Sequence, residues 1–263
     1  MLKTLVLLSA ALTCLLSVSP ASLRAQVTPP HPDFTGVYMP FNPLNAAQRG
    51  RATAPPAVAR GGPLPPARPV PVIDGANGRP ATAPKLTPEY LAKWEVMRKS
   101  RMSGSSEFDP NAKCLSAGMP SMMSMGYGME IQQTKDKITI YGELNDVYRR
   151  IFLDGRKPSQ KVLDDPTYAG YSTGHWEGDT LVVDTVALRD DTQLDTFSPH
   201  SDQLTVRERI RFIAPGVLED HITATDPKAL VEPHVMVRTH RKVSPPSDEL
   251  REFSCAEGLL TTK

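Results

Sequence analysis

From Met129 to the end of the chain, apolar and polar residues alternate with a period of two, the signature of strands with one face buried. Ile131 and Gln133 alternate with Glu130 and Gln132, and a turn at Asp136-Lys137 leads into Ile138-Thr139-Ile140-Tyr141. Val147, Arg149, Ile151 and Leu153 follow and stop at Asp154-Gly155. Residues 170–176 and 181–186 flank a Glu177-Gly178-Asp179 turn and read as a hairpin. Residues 204–212 and 217–225 flank Ala214-Pro215-Gly216, and 235–240 and 250–254 complete the pattern. With 33–38 as an opening strand, this predicts about ten short antiparallel strands at hairpin spacing. The expected fold is mostly β, an up-and-down barrel or strongly curved meander, since closure removes exposed edges.

Before Met129 the pattern changes. Thr87-Pro88-Glu89 is a helix start, with an N-cap hydroxyl, proline at the first helical position and an early acid. Leu91, Trp94 and Met97 then share a face, and Arg98, Lys99 and Arg101 suit the C-terminal end of the dipole. This is predicted to be the one sizeable helix. Residues 54–71 are mostly Pro, Ala, Gly and Arg, which builds neither ladder nor core and predicts an extended or flexible segment. At the N-terminus, Lys3, an apolar stretch over 5–16 and small residues up to Ala25-Gln26 read as a signal peptide, although Leu23 is a poor fit at the third position before that cut. The expected organisation is a leader over 1–25, a Pro-rich arm with the first strand over 26–86, and one barrel-like domain over 87–263.

Export sets the chemistry available. A periplasmic or secreted chain works without the ATP and NAD(P)H pools, and no Gly-rich phosphate loop is present. The 30 basic and 29 acidic residues leave no net field to attract nucleic acid or anionic lipid. No second apolar run reaches membrane-spanning length. Loss of Cys14 with the leader leaves Cys114 and Cys255, which in an oxidising compartment are expected to form a disulfide. Two buried free thiols, or a metal pair with His, are the alternatives.

Candidate chemistry centres on 204–212. Leu204, Val206, Ile210 and Phe212 share a face with Glu208, while Thr205, Arg207, Arg209 and Arg211 take the other. A carboxylate facing a barrel interior must be paired or neutralised. Glu208 is then either a structural ion pair with an inward arginine such as Arg149, or a general acid/base. His200 and Asp202, on the loop entering that strand, and His175 are its candidate partners, with an arginine to stabilise negative charge. Asp184, between Val182 and Val186, is a second candidate for an inward carboxylate or a cross-strand pair. The spacing matches no strong zinc motif, and Ser105, Ser106, Ser116 and Ser121 sit in no nucleophile elbow.

Met119, Met122, Met123, Met125 and Met129 cluster around Gly118, Pro120, Gly126 and Gly128. Clustered thioethers suit Cu(I), but no histidine is nearby in sequence, so an apolar lid or pocket wall is the preferred reading and no metal is assigned. Tyr127 belongs to the same wall. Trp176 reads as a core anchor that would also face the pocket, and Arg149 or Arg150 would supply polar contacts.

Several stretches resemble a family of exported bacterial β-rich proteins of uncharacterised activity. They are Cys114-Leu-Ser-Ala-Gly-Met-Pro-Ser-Met-Met123, Arg149-Arg-Ile-Phe-Leu-Asp-Gly-Arg156, His175-Trp-Glu-Gly-Asp-Thr-Leu-Val-Val-Asp-Thr185, His200-Ser-Asp-Gln-Leu-Thr-Val-Arg-Glu-Arg209 and Asp226-Pro-Lys228. That likeness covers most of residues 110–256 and carries no catalytic residue. Gly36-Val37-Tyr38 is similar to the Gly-x-Trp that opens lipocalin-like (calycin) barrels, with Tyr in place of Trp. This second resemblance implies a barrel and small apolar ligands. The leading expectation is therefore an exported barrel holding a small apolar or amphipathic molecule, with no cofactor. The alternatives are a cofactor-independent lyase, isomerase or hydrolase in the same cavity, and an envelope interaction module using the Pro-rich arm.

Overall fold

The computed structural model describes residues 31–41, 82–124, 126–195, 197–246, 249–251, 253 and 255. The residues read as a leader (1–25) and the Pro-rich stretch at 54–71 lie outside them. Nine strands form one closed barrel in chain order: β1 (Gly36–Pro40), β2 (Met129–Gln133), β3 (Lys137–Gly142), β4 (Val147–Phe152), β5 (Tyr171–Glu177), β6 (Thr180–Val186), β7 (Thr205–Ala214), β8 (Val217–Thr225) and β9 (His234–Lys242). β1 closes the ring by pairing antiparallel with both β2 (Tyr38↔Met129) and β9 (Tyr38↔Lys242). The mostly-β barrel expected from the alternation is present, and its ring is closed.

Two details differ from the sequence pattern. Residues 250–251 form no strand; β9 already supplies the partner that β1 needs, so the ring closes without a tenth element. β4 and β5 are parallel, joined through only Ile151↔Ser172 and Phe152↔Thr173. The stretch between them is too long for a hairpin and includes the short helix α2 (Gln160–Leu163). Such a crossover returns the chain to the end it left, which is what a parallel pair requires. The other pairings are antiparallel, from the three-residue connection between β2 and β3 to the long β7–β8 ladder.

Helix α1 (Pro88–Met102) begins where the sequence places it, with Pro88 at its start, Glu89 in the first turn, and Lys99 and Arg101 in the last. Tyr90 and Trp94 are its buried residues, and Leu91 packs against the same core. Its entry is fastened to the loop after β8, where the Thr87 amide donates to the Ala229 carbonyl and the Thr87 hydroxyl to the Lys228 carbonyl. Among the described residues no helix is long and apolar enough to cross a membrane.

Both barrel ends are stoppered. At one end the segment before β1 folds inward, so that Phe34 sits edge-on to Phe212 (5.1 Å) and tilted against Trp176 (5.3 Å), while His31 stacks flat on Trp176 (4.8 Å). At the other end the methionine segment packs under the start of β2 and β4, with Met119 and Met123 fully buried. Gly118 admits this segment: its φ is +71°, and a Cβ there would lie 2.9 Å from the Tyr168 carbonyl and 2.7 Å from Thr192. The expected disulfide is present between Cys114 and Cys255, with Cα atoms 5.5 Å apart. It ties the segment after α1 to the tail beyond β9.

Candidate functional site

The middle of the barrel is ionic. Alternation turns Arg149 on β4, Ser172 on β5, Thr185 on β6, Glu208 on β7 and Asp220 on β8 inward, and all five are buried. Arg149 Nη1 donates to Glu208 Oε1 at 2.7 Å and Nη2 donates to Oε2, a bidentate pair in which the carboxylate has no solvent exposure. Nε donates to Ser172 Oγ (3.1 Å), Nη2 also donates to Thr185 Oγ1 (3.0 Å), and the two hydroxyls bond each other at 2.8 Å. Glu208 thus takes the structural-pair reading, with Arg149 as its partner.

Asp220 completes the cluster and escaped the sequence analysis. Neither of its oxygens has a protein hydrogen-bond donor among the described residues. Burial, then the charge of Glu208, pushes its pKa well above the usual carboxylate value, which favours the protonated acid beside the Glu208 carboxylate. The alternation Leu218, Asp220, Ile222, Ala224 carries the same signal that marked Glu208, and following it one strand further would have found this acid.

The histidines proposed to serve Glu208 are elsewhere. His175 is exposed, its Nε2 3.4 Å from Glu177 Oε1, because the register that turns Trp176 inward turns its neighbour out. His200 is buried in the loop before β7, with Nδ1 2.9 Å from the Ser201 carbonyl and Nε2 2.7 Å from Thr192 Oγ1. Burial lowers its pKa, which keeps the ring neutral. Its neighbours form a loop clamp. Asp226 accepts from the Ser201 amide (2.6 Å) and hydroxyl (2.7 Å) and from the amides of Lys228 and Ala229, while Lys228 reaches Asp202 at 2.8 Å. The His200-Ser-Asp and Asp226-Pro-Lys stretches are thus two halves of one structural joint. Asp184 faces outward and pairs with Arg207 on β7 (2.7 and 3.0 Å).

The apolar residues assigned to a pocket instead fill one. Met119, Met123 and Trp176 belong to the packed core or its rim. Met122, Met123, Met129, Tyr127 and His240 surround a void of only ≈ 20 Å³. About one water fits such a space, so among the described residues this end of the barrel has no room for an organic molecule.

Space for a molecule lies outside the wall. A cleft of ≈ 570 Å³ runs over the β4–β5 seam. Tyr148, Arg150 and Phe152 from β4 line one side, Tyr171 from β5 and Tyr168 from the crossover line the other, and Asp165 is at its edge. Only two residue pairs stitch the parallel strands, and the cleft lies over this seam. Phe152 and Tyr171 lie 5.2 Å apart, and Tyr148, 61% exposed, packs on Tyr141 at 4.9 Å. Tyr141 donates to Asp146 (2.5 Å), which pushes the Tyr141 pKa upward. Arg156 and Arg189 are each tied to a nearby aspartate, whereas Arg150 and Asp165 have no ion-pair partner among the described residues. Among those residues no group of three His, Cys, Asp or Glu is placed to hold a metal.

No family model matches the chain, and no curated protein matches it. Among solved structures it is similar to the fluorescent protein UnaG, at 17% identity over 52% of this chain and 88% of that one, with a TM-score of 0.29. A mutant of UnaG aligns at 18% identity over 44% and 70% of the two chains, with a TM-score of 0.27. Scores this low carry no functional argument, and the barrel assignment rests on the strand register itself.

Proposed function

We propose that this is a non-catalytic binding protein of the cell envelope or exterior. It takes one small, amphipathic, ring-bearing molecule into the cleft over the β4–β5 seam, outside the barrel wall. The observation that carries this reading is the contrast in space: ≈ 570 Å³ in the outer cleft against ≈ 20 Å³ in the methionine-lined void at one end of the barrel. Small-molecule sites occupy roughly 300–1,000 Å³ and combine aromatic walls with a few polar groups. Tyr148, Phe152, Tyr168 and Tyr171 offer ring faces, and Arg150 offers a planar donor fork without an acceptor among the described residues. Arg150 therefore keeps the polar-contact role read from the sequence, at a different place. Arg149 and Glu208 serve the wall's stability, and no histidine reaches them as acid–base chemistry would require. The Cys114–Cys255 bridge supports work in an oxidising compartment.

Native mass spectrometry of protein purified from its own cells is the direct test, followed by titration of the released molecule into Arg150→Ala and Tyr171→Ala. Loss of a hydrogen bond from a charged donor predicts weakening by about 10- to 100-fold for Arg150→Ala. Wild-type affinity in both variants would exclude the cleft, and an acid–base reaction abolished by Glu208→Gln would replace the reading with an enzymatic one.

A further inference from the structure

The copper reading of the methionine segment fails in sequence because no histidine lies near it. The fold supplies one. His240, on β9, lines the same ≈ 20 Å³ void as Met122, Met123 and Met129. Its ring is 4% exposed, and Nδ1 is buried without a partner among the described residues. The ring also hydrogen bonds to the Met123 backbone. A metal-binding histidine is typically held in this way, one ring N–H given to a backbone carbonyl and the other nitrogen left with its lone pair.

The size and lining of the void identify the guest. Room for about one water excludes any organic molecule, and a water there needs two to four polar partners. The walls are mostly thioether and alkyl, with Ile140, Leu144 and Val147 beside the methionines. Glu143, the acid that lines the void, already accepts from the Gly128 amide (3.3 Å) and the Arg251 amide (3.0 Å). A soft, neutral set of thioethers with one imidazole selects Cu(I) over zinc, which favours thiolate, imidazole and carboxylate. We propose that His240 Nδ1 and the sulfurs of Met122, Met123 and Met129 form a Cu(I) site at the methionine-capped end of the barrel. Glu143, which lines the same void, supplies a negative charge beside the bound ion. The site is separate from the outer cleft and does not depend on the function proposed for it.

The test is anaerobic titration of the full chain with Cu(I) against a chromophoric chelator, with the disulfide intact and Cys14 blocked so that no thiol competes. One equivalent should be withdrawn, and its X-ray absorption should show mixed sulfur and nitrogen ligation. Met122→Leu/Met123→Leu conserves volume and should retain the wild-type circular dichroism while losing at least tenfold in Cu(I) affinity. Met129→Leu should do the same if the double variant fails to fold. Met102→Leu, at an exposed position, should bind as wild type does. All copper remaining with the chelator would overturn the site, as would unchanged affinity in both leucine variants.

Discussion

Arg149→Met removes a guanidinium while keeping most of the side chain's volume. In the wild type that group satisfies both Glu208 oxygens and bonds Ser172 and Thr185. After the substitution the two hydroxyls still have each other at 2.8 Å, so the loss falls on Glu208, fully buried and next to Asp220, whose protonated form burial favours. The folded variant can keep a bare carboxylate or take up a proton, and the cheaper path limits the damage. A glutamate in the unfolded chain ionises near pH 4.3, so at 1.36 kcal/mol per pH unit, holding it protonated at pH 7 costs about 3.7 kcal/mol. A destabilisation of about 3–4 kcal/mol at pH 7 is therefore expected, within the usual range for a broken buried pair. For a chain of this size that lowers Tm by roughly 6–16 °C. Near pH 4.5 the same variant should lose less than about 1 kcal/mol, because the proton is then supplied by solution. Arg149→Met/Glu208→Gln should recover most of the loss at pH 7, since a buried pair contributes little net stability over neutral groups. Urea unfolding followed by far-UV circular dichroism at the two pH values, disulfide intact, measures all three. A loss that does not vary with pH, or a double variant as unstable as the single, would refute the argument.

Asp220→Asn tests the neutral acid. With its folded pKa raised, Asp220 holds its proton above pH 3.8 while the unfolded chain releases one, so its contribution to stability declines as pH rises. The asparagine avoids this and should raise Tm at pH 7 but not at pH 3, by about 2–4 °C for each kcal/mol recovered; equal shifts at both would show that Asp220 is ionised when folded. Phe34→Ala opens the aromatic stopper at a position 1% exposed and should lose about 3–5 kcal/mol in the same unfolding assay. A loss below about 1 kcal/mol would mean that the segment before β1 is not part of the core. Cys114→Ser/Cys255→Ser frees a loop spanning 141 residues and should lower stability by about 5 kcal/mol in the chain-entropy model. Thiol titration of the unfolded, unreduced wild type should find neither of these cysteines reactive.

The sequence by itself marked most of the strands and, for several of them, the face that turns inward. A period of two separates inward from outward residues without reference to neighbours, so the turning inward of Glu208, Trp176 and Arg149 is legible, as is the cap that starts α1. Alternation also marks Asp220, although a single acid among apolar residues is easily passed over. It does not say which strands adjoin or what fills the space they enclose. The pairing of Arg149 with Glu208, the parallel β4–β5 seam and the cleft above it depend on how a closed sheet wraps. So does the arrival of His240 beside methionines more than a hundred residues away. Ring closure brings side chains together across distances in sequence that no local pattern records. Close packing then decides whether they leave a pocket, and here Met123, Phe34 and the ionic cluster occupy the interior and move the usable space to the outer wall.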